Sequence, residues 1–505
     1  MFTSAIQGSE TMYIGVDCGT QSTKVVVVDP DGQILGEASR PHRLEQGDNG
    51  RREQHVNEWT GAFREALQEA LSHAGVEGSA VRGIGVSGQQ HGMVALDIEG
   101  EPVHPAKLWN DTETAEHNER LIKRLGDEAG CLDKLGLVLQ TGYTASKIAW
   151  LRETHADAYA RIATLLLPHD YLNFWLTGER VAEAGDASGT GYFDTRARTW
   201  RRDVFDLIAP ELDADAVLPR LIDSGEPVGR VRPELARELG LGDDVWVASG
   251  GGDNMMGAIG TGNIERGMMT ISLGTSGTIA VHSPDPVVPD NAMVANFCAS
   301  HAGWLPLICT MNVTSATTTL RELVGLDLDG FNRAVASAEP GAGGVTMLPF
   351  FSGERVPALP QAQASLSGLT SFNTTPANLC RAAVESATFG LRYGLELLGP
   401  LADHATQVRL VGGGAKSPVW RQIVADILDV EVVCPRVTEA AAFGGAIQAR
   451  WCDDREGAVT LESLCRSWVK LDEATLTQPQ PEIVARYHDV YARYREALAA
   501  QHDIR

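Results

Sequence analysis

Four short stretches of this chain carry residue types that handle phosphates and hydroxyl groups. The first is Asp17-Cys-Gly-Thr20-Gln-Ser-Thr-Lys24, an aspartate followed by a Gly-Thr turn. The backbone N–H groups and hydroxyls of such a turn suit phosphate oxygens. An acid beside phosphates makes chemical sense when it holds Mg²⁺ through waters, which makes Asp17 a candidate metal residue. A plain hairpin with Asp17 capping its turn is the other reading. The second stretch, Ser272-Leu-Gly-Thr275-Ser-Gly-Thr278, offers the same donors without a carboxylate. The third is Val408-Arg-Leu-Val-Gly412-Gly413-Gly414-Ala-Lys-Ser417-Pro418, whose glycines would let a flat ring approach bare backbone. It lacks the spacing of a P-loop and of G-x-G-x-x-G, so neither a Walker site nor a dinucleotide site is expected, and an unliganded tight turn is the alternative. The fourth, Val245-Trp-Val-Ala-Ser-Gly-Gly-Gly-Asp253-Asn254, delivers a carboxylate after three glycines. Asp253 reads either as a general base in a cleft or as a helix N-cap.

The elements around these stretches read as follows. Residues 13–17, 24–29 and 33–36 are β-branched runs separated by Gly-Thr and Pro-Asp-Gly turns, an antiparallel meander. A helical period over residues 56–73 puts Trp59, Phe63, Ala66, Leu67 and Ala70 on one face. Residues 81–87 read as a buried strand that ends in Gly88-Gln89-Gln90-His91-Gly92. Near residue 268 the opening pattern recurs, with Gly, Thr and Thr at the same offsets as in the first hairpin. A glycine hairpin opening each half points to duplication, and two such hairpins would grip a triphosphate between them. Strands alternating with helices in each half give an α/β fold, with domains at 12–258 and 259–490.

A chain of 505 residues is too long for one compact core. Its 43% apolar and 21% charged residues are ordinary for a globular protein. The excess of 66 Asp+Glu over 42 Lys+Arg gives a net charge of −24, which repels nucleic acid and anionic membranes but leaves room for one locally held nucleotide. Eight scattered cysteines without a C-x-x-C pair read as free thiols in a reducing compartment. No apolar run approaches the roughly 18 residues of a membrane span. The first eleven residues lack the basic and apolar regions of a signal peptide and read as a disordered lead-in, with Met12 an alternative start. The expected location is the cytoplasm.

Taken together these residues resemble the FGGY family of carbohydrate kinases, from about residue 12 to about residue 450. Gly142-Tyr-Thr-Ala-Ser-Lys147-Ile-Ala-Trp150-Leu-Arg-Glu153 looks like the family's first signature, departing at Thr154. Residues 364–385, with Leu366, Gly368-Leu369, Asn378-Leu379 and Ala382-Ala383-Val384-Glu385, look like the second. The resemblance implies an α/β fold of two actin-like (ribonuclease-H-like) domains around a central cleft, with ATP and Mg²⁺ as cofactors. It implies a small neutral sugar as partner, no nucleic acid, no membrane, and a homodimer as a candidate assembly.

Further stretches carry the resemblance toward a ketose acceptor: Ser87-Gly-Gln-Gln-His91-Gly92, Leu108-Trp109-Asn110-Asp111, Leu167-Pro-His169-Asp-Tyr171, Asp186-Ala-Ser-Gly-Thr190 and Leu348-Pro-Phe-Phe-Ser-Gly-Glu-Arg355. They imply transfer to a terminal hydroxyl of D-xylulose, the alternative being another pentulose or a polyol of the ribulose, ribitol or glycerol type. Two positions depart from the pattern: Gln90 replaces the usual Met, and His169 the usual Lys. A change beside His91 could retune which ketose or polyol is preferred.

Position by position, the resemblance implies Asp253 as catalytic base and Gln90, His91 and Asn254 as contacts to sugar hydroxyls. Asp17 would organise Mg²⁺, Thr20 and Thr275 would meet phosphates, and Gly413, Gly414 and Ser417 would lie against adenosine. Trp109, with Asn110 and Asp111, would line the sugar pocket, unless Asp111 caps the helix that runs to Leu125. Lys147 reads as structural. Two rivals belong to other classes. A sugar-responsive regulator on the same scaffold would need a helix-turn-helix or a basic face, and neither is visible. An actin- or chaperone-like ATPase has no use for His91.

Overall fold

The computed structural model describes residues 11–288, 291–454 and 457–504. Residues 1–10, which make up nearly all of the expected lead-in, lie outside the described residues. Strands β1 (Met12–Cys18), β2 (Ser22–Val28) and β3 (Ile34–Pro41) form the expected antiparallel meander, with Asp17 opposite Lys24 across the first turn. The unbroken apolar run of β2 follows from burial on both faces. Ile14, Val16, Val25 and Val27 share a core with Trp59, Phe63 and Leu67 of helix α1 (Val56–Ala74). Tyr13, Val26 and Val28 belong to a second core on the opposite face.

Strand β4 (Val81–Gly88) lies parallel to β1. After helices α2 (Thr144–Thr154) and α3 (Pro168–Thr177), strands β5 (Gly229–Arg230), β6 (Trp246–Val247) and β7 (Gly251–Gly252) complete a seven-stranded sheet. Its order is β5-β6-β4-β1-β2-β3, with β7 also paired to β4.

Helix α4 (Asp253–Thr261) leads to the second sheet. This sheet opens with β8 (Met268–Leu273), β9 (Gly277–Val281), β10 (Ala295–Cys298) and β11 (Trp304–Thr310). It continues after helix α5 (Pro376–Glu396) with β12 (Gln407–Val411), then helix α6 (Pro418–Leu428) and β13 (Glu431–Pro435). Helix α7 (Ala440–Asp453), β14 (Leu471–Thr477) and helix α8 (Pro481–His502) end the chain. The order is β10-β11-β9-β8-β12-β13-β14.

Both sheets are wired alike. Three antiparallel strands (β1-β2-β3 and β8-β9-β11) are extended beyond their first member by two successive parallel strands (β4 then β6, and β12 then β13) and an antiparallel edge strand (β5 and β14). The glycine hairpins recognised as a repeat are therefore the same turn in two copies of one sheet, and the fold is two-domain α/β as expected.

The halves are not separate beads. Helix α7, late in the sequence, lies on the first sheet: a Cβ on Gly15 would sit 1.8 Å from the carbonyl oxygen of Ala442. It also crosses α4 backbone to backbone, where a Cβ on Gly260 would meet the Ala440 oxygen at 1.8 Å. Met256, Ile259, Phe443, Ala446 and Ile447 thus share one core with Tyr13, Val26 and Val28. A division at residue 258 falls inside α4. Among the described residues no disulfide joins any of the cysteines, and no helix there is long and apolar enough to cross a membrane.

Candidate functional site

Register brings the first cluster together. In the parallel pairs, Ser87 is level with both Asp17 and Gly251, and Gly88 with both Cys18 and Gly252. Asp17, Gln90 and Asp253 therefore sit at or just beyond the carboxyl ends of neighbouring strands, the edge where open α/β sheets hold ligands. Asp17 accepts a hydrogen bond from Ser87 Oγ at 2.9 Å, and Lys24 opposite pairs with Glu439 at 2.5 Å. Burial raises the Asp17 carboxyl to about 6 against the pull of Ser87 and Lys24. Burial also raises Asp253, to about 7, helped by the charges of Asp17 and Asp186. Neighbouring carboxylates that resist ionisation form a site short of positive charge, a donor set that fits a hard divalent cation.

The helix-cap reading of Asp253 is corrected. Gly252 occupies the cap position, and Asp253 is the first helical residue. Asp253 Oδ1 accepts from the backbone N and the Nδ2 of Asn254, at 2.8 and 3.0 Å. The hairpin itself forms, but the capping role read for Asp17 is corrected, since its carboxylate accepts from Ser87 on the neighbouring strand.

Around Asp253 the polar groups are neutral and incompletely filled. Asn254 Nδ2 donates to Gln90 Oε1 at 2.9 Å, which leaves the buried Gln90 Nε2 without a partner. His91 takes a left-handed backbone (φ 65°), and its ring stands against Tyr143 (4.6 Å between centroids) and Phe297 (5.7 Å). Gly189 makes room for it: a Cβ there would lie 2.0 Å from His91 Nδ1. Burial lowers His91 to about 3, with the nearby Lys147 charge adding to the effect and the Gly189 backbone opposing it, so the imidazole is neutral; its Nδ1 packs against Gly189 without a well-aligned hydrogen bond. Unfilled amide and imidazole groups against an aromatic wall are what hydroxyl-rich neutral ligands need.

Trp109 is 42% exposed, and its Nε1 donates to Thr20 Oγ1 at 2.9 Å. Thr20 in turn donates to Gln89 Oε1 at 3.1 Å. The indole is thus tied to the first hairpin. Asp111 neither lines the pocket nor caps the helix ending at Leu125. That helix begins at Ala115 behind Thr114, and Asp111 is fully buried. It pairs at 2.9 Å with Lys107, a buried ammonium that also holds Glu53 (2.9 Å) and Glu113 (2.6 Å) and sits 3.9 Å over the Trp150 ring. This knot fixes the segment carrying Trp109. Lys147 is structural as expected: its ammonium donates to the carbonyls of Gly142 and Tyr143.

The second cluster belongs to the second sheet. Thr275 stands in the β8–β9 turn, its carbonyl accepting from Val313 N (3.2 Å) and Ser315 Oγ (3.0 Å). Beyond β12, Gly412 turns the chain at φ 89°, and Ser417 caps α6 by accepting from Trp420 N. The Ser417 hydroxyl donates to Asn332 Oδ1 at 2.7 Å. Gly414 backs onto Leu273 at the end of β8, whereas no atom lies within 4 Å of a Cβ built on Gly413. Gly413 therefore presents bare backbone to open space.

Several residues of the site escaped the sequence reading. Ser87, Tyr143, His169 and Asp186 lie in stretches already singled out, without an assigned role. Phe297 had no local signal at all, because β10 brings it to His91 from a distant part of the chain.

The chain matches the N-terminal domain of the FGGY family of carbohydrate kinases over residues 12–260 and its C-terminal domain over residues 269–452. A xylulose kinase of Haemophilus influenzae is 50% identical over 493 residues, 97% of this chain and 99% of that protein. The crystal structure of a xylulose kinase from Bifidobacterium adolescentis superposes with a TM-score of 0.82 at 31% identity, covering 97% of this chain and 100% of that one. A gluconate kinase from Lactobacillus acidophilus shares the fold with a TM-score of 0.89 at 22% identity, covering 98% and 99% of the two chains. The fold alone therefore does not choose the sugar.

Proposed function

Because this chain belongs to the FGGY family of carbohydrate kinases, we propose that it transfers the γ-phosphate of ATP to a terminal hydroxyl of D-xylulose, giving D-xylulose 5-phosphate and ADP. The observation that carries this reading is the pairing of Asp253 with a neutral, unfilled polar set, Gln90, His91 and Asn254. The half-identical full-length relative supports the choice of ketose.

Phosphoryl transfer needs in-line positioning, neutralisation of phosphate charge and a proton acceptor. Asn254, Gln90 and His91 hold the sugar so that one hydroxyl faces Asp253. As that oxygen bonds to the γ-phosphorus, its proton passes to the Asp253 carboxylate and the bond to the β-phosphate oxygen breaks. Thr20 and Thr275, one from each hairpin, present hydroxyl and backbone donors to the phosphates. Asp17 would hold Mg²⁺ through water, the ion supplying the positive charge that two raised carboxylates lack. Gly413 and Gly414 receive adenosine, and Ser417 fixes the start of α6 beneath it. ATP as substrate and the lack of any disulfide among the eight cysteines support a cytoplasmic setting.

A coupled ADP-release assay over ketoses and polyols tests the substrate. D-xylulose is expected to give the highest kcat/KM. A tenfold preference for L-ribulose, ribitol, glycerol or gluconate, about 1.4 kcal/mol of discrimination, would overturn the ketose while leaving the family intact. The nucleotide side has its own test. Gly413→Val places branched carbons in the open space and is expected to raise the KM for ATP at least ~10-fold, with sugar KM nearly unchanged. Equal rises in both constants would return this segment to a plain tight turn.

A further inference from the structure

Beneath the site lies a buried charged cluster with no part in the steps above. His169 is wholly buried between two carboxylates: Nδ1 hydrogen-bonds to Asp186 Oδ2 at 2.5 Å, and Nε2 lies at ion-pair distance, 3.1 Å, from Asp170 Oδ1 without the alignment of a hydrogen bond. A positively charged ring answers both acids, through a hydrogen bond on the Asp186 side and by charge alone on the Asp170 side. Asp170 is held by accepting from Leu167 N at the start of α3, and Glu183 caps the short helix Ala184–Ala187 that carries Asp186. Asp186 is also wholly buried, and its other oxygen, Oδ1, has no partner.

The position of His169 gives the cluster its meaning. A Cβ on Gly88 would lie 2.8 Å from His169 Cβ, and one on Gly250 3.0 Å from its Cδ2. Those glycines stand just ahead of the two segments that supply Gln90 and His91 on one side and Asp253 on the other. Three residues after Asp186, Gly189 abuts the His91 ring. One side chain therefore touches the roots of both site segments and is ion-paired to the turn that seats the sugar-side histidine.

We propose that His169, as an imidazolium clamped between Asp170 and Asp186, is a positioning residue that holds the His91 seat against the Asp253 strand and balances the Asp186 charge near the base. This deepens the kinase reading and rests on it. Burial works to lower the His169 pKa, but Asp170, Asp186 and, more weakly, Glu183 outweigh it and hold the ring at about 9. Among the described residues these three are the charged groups that act on it most strongly, and Gly88 and Gly250 bring only backbone. A raised pKa gives the sign. The stabilisation is complete below the ordinary histidine value near 6.5 and is lost as pH climbs through about 9.

The experiment compares the full-length protein with His169→Gln and His169→Lys between pH 6 and 10, reading melting temperature and both substrate constants. His169→Gln leaves Asp186 without its cation, so kcat/KM for D-xylulose should fall at least ~30-fold, the scale of a misplaced catalytic group, while the KM for ATP stays within twofold. His169→Lys keeps a cation and should restore activity to within about threefold. Because a lysine ordinarily keeps its proton up to about pH 10, it should also remove the wild-type fall in melting temperature and turnover near pH 9. The proposal is overturned by a stable His169→Gln enzyme with near-normal kcat/KM. Should that variant fail to fold, identical alkaline limbs in wild type and His169→Lys overturn it just as directly. If the wild type turns over no sugar, the kinase reading falls, and the pH dependence of melting still decides the clamp.

Discussion

Replacing Asp253 with Asn is expected to lower kcat at least ~10²-fold, the lower end of what a general base contributes, without a matching loss of stability. The exchange keeps the side-chain size. Asp253 caps no helix, and the amide oxygen of Asn can still accept from the N–H of Asn254. What the variant cannot do is take the proton of the attacking hydroxyl. The pH profile supplies a second signature. Burial, then Asp17 and Asp186, raise the wild-type carboxyl to about 7, and the base works only when ionised. Wild-type kcat/KM should therefore rise with pH through about 7, and this limb should vanish in the variant. Turnover within tenfold of wild type, measured beside an unchanged melting curve, would remove Asp253 from the chemistry.

The largest expected loss of stability comes from Lys107→Met. The methionine fills a similar volume but leaves Glu53, Asp111 and Glu113 converging on no cation, two of them fully or almost fully buried. Removing one partner of a buried ion pair costs about 3–5 kcal/mol, and the indole of Trp150 loses its cation as well. Denaturant melts should show that loss. The segment bearing Trp109 should loosen with it, so sugar KM should rise in whatever fraction stays folded. A change below about 1 kcal/mol would mean that the three acids simply take up protons in place of the ammonium.

The parts of this architecture that announce themselves in sequence are those set by neighbours along the chain. The Gly-Thr hairpins, the apolar face of α1 and the glycine run into α6 are local patterns, and each forms where the residue types require it. Asp253 stands out locally as a carboxylate after three glycines, with a helix cap as the alternative, whereas Gln90 enters only through the family resemblance. What stayed hidden depends on distant partners. Lys107 reads as a surface lysine until folding brings Glu53 against it. His169 and Asp186 meet across 17 residues in a geometry no spacing rule encodes. Helix α7 is apolar nearly all round, so its sequence says that it is buried but not against which sheet.

That last helix has a consequence for how the protein is made. Tyr13, in the first strand, hydrogen-bonds at 2.9 Å to Asp453, the final residue of α7. On the ribosome the two are separated by most of the message. At ~5–20 residues per second, roughly 20–70 s pass between completion of β4 and completion of α7. Throughout that interval the face bearing Tyr13, Val26 and Val28 has no lid, and the narrow seat at Gly15 has no backbone to fill it. The amino-terminal lobe therefore cannot finish folding in the order in which it is translated. Its nascent form is a sticky half-sandwich, a natural client for chaperones that shield apolar sheets until the carboxyl-terminal lobe arrives to close it.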